Sequence, residues 1–431
     1  MKVLRCIWFL IILSCCWACL DELEIDTLTG DGQSATLVVE AVLTDEMITQ
    51  KVYLSRSDAR LDLETDTVYN PYIPLGSLPI DSVDMEAGAT VRVLGENGVE
   101  YQFTEGSEGI YLSNQPFALQ MGIGYILEIQ TSNGREYVSD PLVVQGKSKF
   151  TNVYAEKAIS NSGEEGIAIY VDSEPQEGNT EYYRYAYEET YKIVAPYWRP
   201  VDFELTGYDN TVFPPLFNLD VVERQIQNEI CYNTVSSTTI DQFSTAGSPE
   251  SEVSKHMVRF IGKDNFIISH RYSILVQQQV QSADAYSFYK TLKSFSQSDN
   301  IFSQIQPGAL YANVHRKDGT NENVLGYAEA VGVSDQRLFL NFDDFFPGEQ
   351  LPPFVFDCNF QSAKLYNEPT QDPCPQGLLE RINAGIVSYY SPYDESLVPN
   401  ASCPGPYVFL PKICGDCTLL GSNIKPDFWE E

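Results

Sequence analysis

Tyr125-Ile126-Leu127-Glu128-Ile129-Gln130-Thr131 runs into Ser132-Asn133-Gly134, and Glu136-Tyr137-Val138 follows at once. Polar and apolar residues alternate on either side of a turn, and a period of two sends successive side chains to opposite faces of a sheet. The stretch reads as a β-hairpin with one buried face. Its Asn-Gly pair predicts a type I′ turn, which needs positive φ at both central residues. The same signature lies upstream, where Thr90-Val91-Arg92-Val93 leads into Glu96-Asn97-Gly98.

Working outward, further short strands are predicted at 35–43, 52–55, 101–104 and 109–112, which makes 36–147 an N-terminal β-sandwich. Between its strands, Arg56 to Glu86 carries Pro71, Pro74, Pro79 and many Asp, the composition of a long solvated excursion. A second β-sandwich-like domain is expected over 148–346. Within it, Gly166 to Val171 reads as a strand. So does the run in which Tyr183, Tyr185, Tyr187, Tyr191 and Ile193 share one face while Arg184, Glu188 and Lys192 take the other. A polar interval at 234–254 separates these from a strand at 271–279. One helix is expected near 283–296: Ser282 caps it, Asp284 sits at the positive end of its dipole, and Ala285, Phe288, Tyr289, Leu292 and Phe295 form one stripe. Two more strands follow at 324–331 and 336–342. From 347 to 431, Pro, Cys and aromatic residues dominate, which predicts an extension packed on the second domain. The fold class is mainly β: tandem immunoglobulin- or fibronectin-like sandwiches with one helix and a disulfide-stapled C-terminal tail.

The N-terminus decides location. Lys2 and Arg5 precede an apolar run from Cys6 to Ala18, short of the roughly 20 residues a membrane-spanning helix requires, so 1–18 reads as a signal peptide. Cys19 is the expected lipidation site, with residues 19–35 as the tether. Cys15 is the alternative, because Ile12-Leu13-Ser14 makes the better upstream pattern. Several acyl chains would hold the protein firmly to outer-membrane lipid, each gaining ~0.8 kcal/mol per buried methylene.

With 60 acidic against 27 basic residues the chain carries a formal charge of -33. Such a surface repels phosphate, which argues against nucleic acid and anionic headgroups as partners. Of ten cysteines, Cys6, Cys15, Cys16 and Cys19 lie in the N-terminal region. The other six, Cys231, Cys358, Cys374, Cys403, Cys414 and Cys417, are disulfide candidates in an exported protein, and sequence does not choose among the pairings. The Cys414-Gly415-Asp416-Cys417 spacing lacks the second CxxC of a zinc knuckle and the βαβ setting of a thioredoxin-like redox pair.

Chemistry-bearing patterns are sparse. His256, His270 and His315 stand alone, with no HExxH spacing, and no GxSxG, GxxxxGK[ST] or GxGxxG run occurs. The acid pairs Asp343-Asp344 and Glu164-Glu165 are what chance supplies in so acidic a chain. No catalytic residue, metal or cofactor is expected. Aromatic residues in predicted loops are the candidate contacts for a partner or ligand: Tyr197 and Trp198 between prolines, and Tyr389, Tyr390 and Tyr393 beside Pro392. The competing reading has these rings closing apolar clusters beneath the loops.

Several segments together resemble a Bacteroidota family of outer-membrane lipoproteins that carries a domain of unknown function. They are Leu37-Val38-Val39-Glu40-Ala41, Tyr182-Tyr183-Arg184-Tyr185, Arg271 to Val276 with Ala285-Tyr286, Val324-Leu325-Gly326-Tyr327, and the ending Cys414-Gly415-Asp416-Cys417-Thr418 with Lys425-Pro426-Asp427-Phe428-Trp429. Asp21, Glu22 and Glu24, just after Cys19, resemble that group's surface-export signal. The resemblance implies a lipid-anchored protein facing the cell exterior beside a TonB-dependent receptor barrel, acting as a non-enzymatic accessory or binding subunit. The alternative is a free-standing cell-surface glycan-binding module or hydrolase.

Overall fold

The computed structural model describes residues 36–57, 84–248, 251–296, 312–320, 322–367, 374 and 376–431. Cys15, Cys19, Asp21, Glu22, Glu24 and most of the Arg56–Glu86 excursion lie outside the described residues. Strand makes up 50% of the chain and helix 9%, so the mainly-β expectation holds.

The first module is built from β1 (Thr36–Thr44), β2 (Lys51–Ser57), β3 (Asp84–Met85), β4 (Thr90–Gly95), β5 (Glu100–Ser107), β6 (Ile110–Ser113), β7 (Gly124–Gln130), β8 (Glu136–Ser139) and β9 (Leu142–Val143). Its antiparallel order is β1-β2-β6-β5-β4-β7-β8. Alternation does what it predicts: Leu37, Val39, Ala41 and Leu43 point inward, as do Val91, Val93, Tyr125 and Leu127, while the intervening residues face out. Buried Tyr111 satisfies its hydroxyl by donating to the Glu86 carbonyl at 2.7 Å and accepting from the Ala89 N–H at 2.9 Å.

The two Asn-Gly hairpins are not type I′. Only the glycines take positive φ, +81° at Gly98 and +82° at Gly134, and the flanking backbone pairs enclose three-residue loops. Each is a turn closed by a left-handed glycine, the other common hairpin solution. Asn97 and Asn133 instead use their side chains, accepting from the N–H two residues on at 3.2 Å in both cases.

The second module comprises β10 (Gly146–Ile159), β11 (Glu165–Gly178), β12 (Tyr182–Val194), β13 (Val201–Asp209), β14 (Leu216–Glu223), β15 (Ile230–Ser236), β16 (Asp241–Ser244), β17 (Val253–Gly262), β18 (Arg271–Val280), α1 (Ala283–Ser296) and β20 (Leu325–Asn341), while β19 (Val314–Arg316) returns to pair with β8 of the first module. The sheet β10-β11-β17 faces the sheet β12-β18-β20. Ile167, Ile169 and Val171 meet Tyr183, Tyr185, Tyr272, Ile274 and Val276 in the core between them. In this core Glu189 accepts a forked pair of bonds from Arg259, both 3.1 Å, and one from the Tyr272 hydroxyl at 2.8 Å. The polar interval at 234–254 holds β16 and the ends of β15 and β17, so it is partly strand. Its Ser, Thr and Gln face outward or cap the sheet and leave little apolar signal to read.

Two strands expected at 324–331 and 336–342 are one, the 17-residue β20. The Gly332-Val333-Ser334-Asp335 run looks like a turn, but Gly332 is there for close approach: a Cβ on it would lie 2.1 Å from the Gly146 carbonyl oxygen. The first half of β20 pairs in parallel with β1, Val38 opposite Leu325 through Thr44 opposite Val331. Its second half pairs antiparallel with β18, from Val280 opposite Gly332 to Arg271 opposite Asn341. One strand thereby joins both modules in a continuous sheet. The first core also takes in Val314, Val324, Ala328 and Ala330, and the Asn313 side chain closes β19 onto β20 through paired bonds to Ala328 at 2.7 and 2.9 Å.

The last segment adds α2 (Leu378–Asn383), β21 (Val387–Pro392), β22 (Tyr407–Pro411) and α3 (Lys412–Gly415), so two short helices join the one expected. Three disulfides fasten it: Cys231–Cys417, Cys358–Cys414 and Cys374–Cys403. Cys414 and Cys417 thus serve different partners as structural staples. Trp429 packs edge-on against Tyr232 and Phe339, and Arg337 lies 3.6 Å from the Phe428 ring, so the ending is fastened to the outer face of the second module.

Candidate functional site

A cleft of about 570 Å³ opens where β20 changes partners, larger than the other three clefts described, at 290, 490 and 320 Å³. Cavities of this size at the meeting of two structural units are the usual setting for small-ligand sites. Its walls come from both modules: the outward faces of β1 and β2, the Arg184 and Gln277–Gln279 region of β12 and β18, and α1. Strand register builds the first wall in rows. Glu40 lies opposite Tyr53 on β2 and Tyr327 on β20, while Val42 lies opposite Glu329 and Lys51 stands two residues before Tyr53 on β2.

The helix forms the second wall for the reason its stripe predicts. Ser282 Oγ accepts from the Ala285 N–H at 3.1 Å and starts the helix. Ala285 and Phe288 then bury against Tyr327, with the Phe288 and Tyr327 rings 4.8 Å apart. Tyr289 and Leu292 continue that face along the cleft.

At the floor sits an ion pair. Arg184 and Glu329 approach to 2.6 Å, with side chains 13% and 3% exposed. This contact is not aligned as a hydrogen bond, since Glu329 Oε1 has no such partner. Glu329 Oε2 accepts from Gln281 at 2.9 Å. Arg184 donates twice to Gln279 Oε1, at 2.8 and 2.6 Å, and its guanidinium lies 4.2 Å from the Tyr289 ring centroid. Burial works most strongly against the Arg184 charge, but Glu329, Tyr289 and Glu40 together outweigh it and hold the guanidinium pKa above its ordinary value. Burial, reinforced by Asp284 and Glu329, pushes the Tyr327 hydroxyl up to about 12. The site therefore holds its buried charges as an internal pair and presents rings, aliphatic groups, side-chain amides and hydroxyls, with the exposed charges of Glu40 and Lys51 on one wall. That chemistry suits binding and orientation.

The residues picked out from sequence fall elsewhere. Tyr197 and Tyr390 do meet, with ring centroids 6.0 Å apart, and both pack around Phe360 and against the second core. Trp198 donates from Nε1 to Asn228 at 2.8 Å, and Arg199 lies 4.0 Å from the Tyr390 ring. Tyr389 is buried beside Phe203 and Tyr407, whereas Tyr393 is exposed. His256 pairs with Asp241 at 3.0 Å and stacks on Tyr185. His315 lies 3.8 Å from Asp140, and burial lowers the pKa of His270. Asp344 accepts from the Asn341 N–H at 2.8 Å, and Glu165 pairs with Lys157 at 2.7 Å, so each acid pair has a local structural partner. No group of three or more metal-ligating side chains occurs among the described residues, and no described helix is long and apolar enough to cross a membrane.

Sequence reading missed the cleft. Its signals were two charges in apolar surroundings: Arg184 between Tyr183 and Tyr185, and Glu329 between Ala328 and Ala330. A charge set in a buried strand needs a partner, and here each is the other's.

No curated protein matches the chain. A crystal structure of a DUF4785 family protein from Legionella pneumophila subsp. pneumophila str. Philadelphia 1 is similar over 57% of this chain and 54% of that one, at 11% identity and a TM-score of 0.17. The chain thus spans about half the length of that protein, and so low a score carries no argument. The model of the domain of unknown function DUF4249 matches residues 21–337, which covers the first module, the cleft and most of the second module. The chain belongs to the DUF4249 family.

Proposed function

We propose that this protein is a lipid-anchored lipoprotein on the outer face of an outer membrane, where it serves as a non-enzymatic accessory or binding subunit of a TonB-dependent receptor or another outer-membrane complex. The observation that carries the reading is the junction cleft, whose buried charges are matched internally by Arg184 and Glu329 and whose walls are mostly rings, aliphatic groups and amides, with Glu40 and Lys51 exposed on one of them. Such a lining suits binding and release of a ligand. Supporting it are the signal-like N-terminus, Cys19 followed by Asp21, Glu22 and Glu24, and the acidic composition. The rings of Tyr197 and Tyr390 are held by packing, which moves the expected ligand contact from those loops to the cleft.

The test is detergent solubilisation of the native membrane followed by mass spectrometry of what accompanies the protein. A β-barrel in near-equal amount is the expected result. Recovery of the protein alone, with hydrolytic activity on a surface polymer, would overturn the reading. Cys19→Ser should release the protein from the membrane fraction, and release by neither Cys19→Ser nor Cys15→Ser would contradict the anchor.

A further inference from the structure

We propose that the junction cleft takes a short peptide with apolar side chains and free termini. The proposal rests on the reading of the cleft as a ligand site and adds the chemical class of its occupant.

The walls set the first condition. Val42, Ile48, Ile240 and Leu292 are aliphatic, and they line the cleft together with the rings of Tyr53, Phe288 and Tyr327. Branched and aromatic side chains gain from leaving water for such a surface. A sugar ring would set several hydroxyls against the same aliphatic groups and lose their water without replacement bonds.

Charge sets the second. Arg184 and Glu329 contact each other at the floor, with the charge of Glu40 adding to that of Glu329 at the guanidinium; no ion pair within 4 Å joins Glu40 or Lys51 to another described residue, and both line the cleft. They stand on neighbouring strands of one wall, both exposed: Glu40 lies opposite Tyr53, and Lys51 stands two residues before Tyr53 on the same strand. One carboxylate and one ammonium on the same wall complement a ligand that carries one ammonium and one carboxylate. These four charges sum to zero, so a strongly charged ligand of either sign is not favoured.

Hydrogen bonding sets the third. Gln277 accepts at Oε1 from Gln279 Nε2 at 2.8 Å, and its own N–H pair has no partner among the described residues. Thr49 and Thr238, exposed at the rim, add hydroxyls that donate or accept. Amide and hydroxyl groups in such positions pair with the carbonyls and N–H groups of a peptide backbone.

The test is isothermal titration of the purified full chain at low salt with the tripeptide Phe-Leu-Phe, its N-acetylated form, its C-amidated form and maltotriose. The free tripeptide should bind, and blocking either end should weaken it about fivefold, the value of one partly exposed ion pair of ~1 kcal/mol. Glu40→Gln should abolish the difference between the free and acetylated peptides, and Lys51→Met the difference between the free and amidated ones. Both side chains are exposed, so the variants keep the fold. Binding of maltotriose in preference to the tripeptide overturns the proposal, as does equal binding of free and blocked peptides. If neither probe binds while a barrel still co-purifies, the peptide proposal falls and the accessory-subunit reading stands. If the tripeptide binds with the stated end-dependence and no barrel co-purifies, the peptide proposal stands and the receptor partnership falls.

Discussion

Replacing Glu329 by Leu should be among the costliest single changes around the cleft. The side chain is 3% exposed and sits 2.6 Å from an Arg184 that is itself 13% exposed. Removing one member of a buried ion pair leaves the other charge without compensation, at about 3–5 kcal/mol. Two neighbours soften the loss. Gln279 keeps its bonds to the guanidinium, and the Tyr289 ring at 4.2 Å contributes a cation–π attraction of roughly 1 kcal/mol. The expected net cost is therefore about 3 kcal/mol. Arg184→Met alone should be similarly damaging, because it strands the Glu329 carboxylate. The double variant Arg184→Met with Glu329→Leu strands neither charge and should be less destabilised than either single one, since apolar replacement of a whole buried pair is often neutral. Chemical denaturation of the four proteins gives the coupling directly, provided the slope with denaturant is unchanged. A Glu329→Leu protein within about 0.5 kcal/mol of the parent, or a double variant as costly as the two single changes added, would refute the assignment of this pair as a mutually dependent unit.

Gly326→Ala attacks the seam between modules: Gly326 has φ of +85°, and a Cβ there would lie 2.1 Å from the Val39 carbonyl oxygen. The left-handed backbone alone costs roughly 1–2 kcal/mol for an L side chain, and the clash parts β1 from β20, so thermal unfolding should fall by several degrees and hydrogen exchange in β1 should quicken. Unchanged β1 protection would count against the seam. Glu86 offers a pH test: although burial pushes its carboxyl up, hydrogen bonds from Arg56 at 2.5 Å and from Ser132 hold its pKa below the ordinary 4.5. The folded form therefore gains stability above the unfolded-state value and loses it as pH falls through the lower folded value. The stability gap between the parent and Glu86→Gln should shrink on acidification, and a gap that widens would reverse the sign. Among the disulfides, Cys231–Cys417 spans 186 residues and Cys374–Cys403 spans 29, so chain entropy ranks their removal at roughly 5 against roughly 3.5 kcal/mol. Calorimetry of the paired serine variants checks the order.

The local geometry was legible where burial is one-sided. The strands at Tyr125 to Gln130 and Glu136 to Val138, though not the type of turn between them, the cap at Ser282 and the face of Ala285 and Phe288 read correctly, because each has polar residues on one side and apolar on the other. Long-range pairing was not. Nothing around Val331 and Gly332 announces that a single strand leaves β1 for β18, since the partner of a strand is set by segments about three hundred residues away in sequence. β13 and β14 are not legible because none of their side chains is fully buried, so their alternation carries little hydrophobic contrast. The aromatic residues at Tyr197 and Tyr390 looked like loop contacts for the same reason in reverse: sequence gives the ring but not the Phe360 ring that covers it. The cleft required two charges separated by more than a hundred residues to meet, and only the fold brings Arg184 to Glu329.

Hydrogen exchange of the purified protein, with and without the dialysable fraction of its growth medium, asks most simply whether the junction cleft is where the protein meets its ligand. Slowed exchange in Glu40–Thr44, Gln277–Gln279 and Phe288–Leu292 together is the expected result, because these segments wall the cleft from both modules. Protection confined to the loops around Tyr197 and Tyr393, with the cleft segments unchanged, would contradict it.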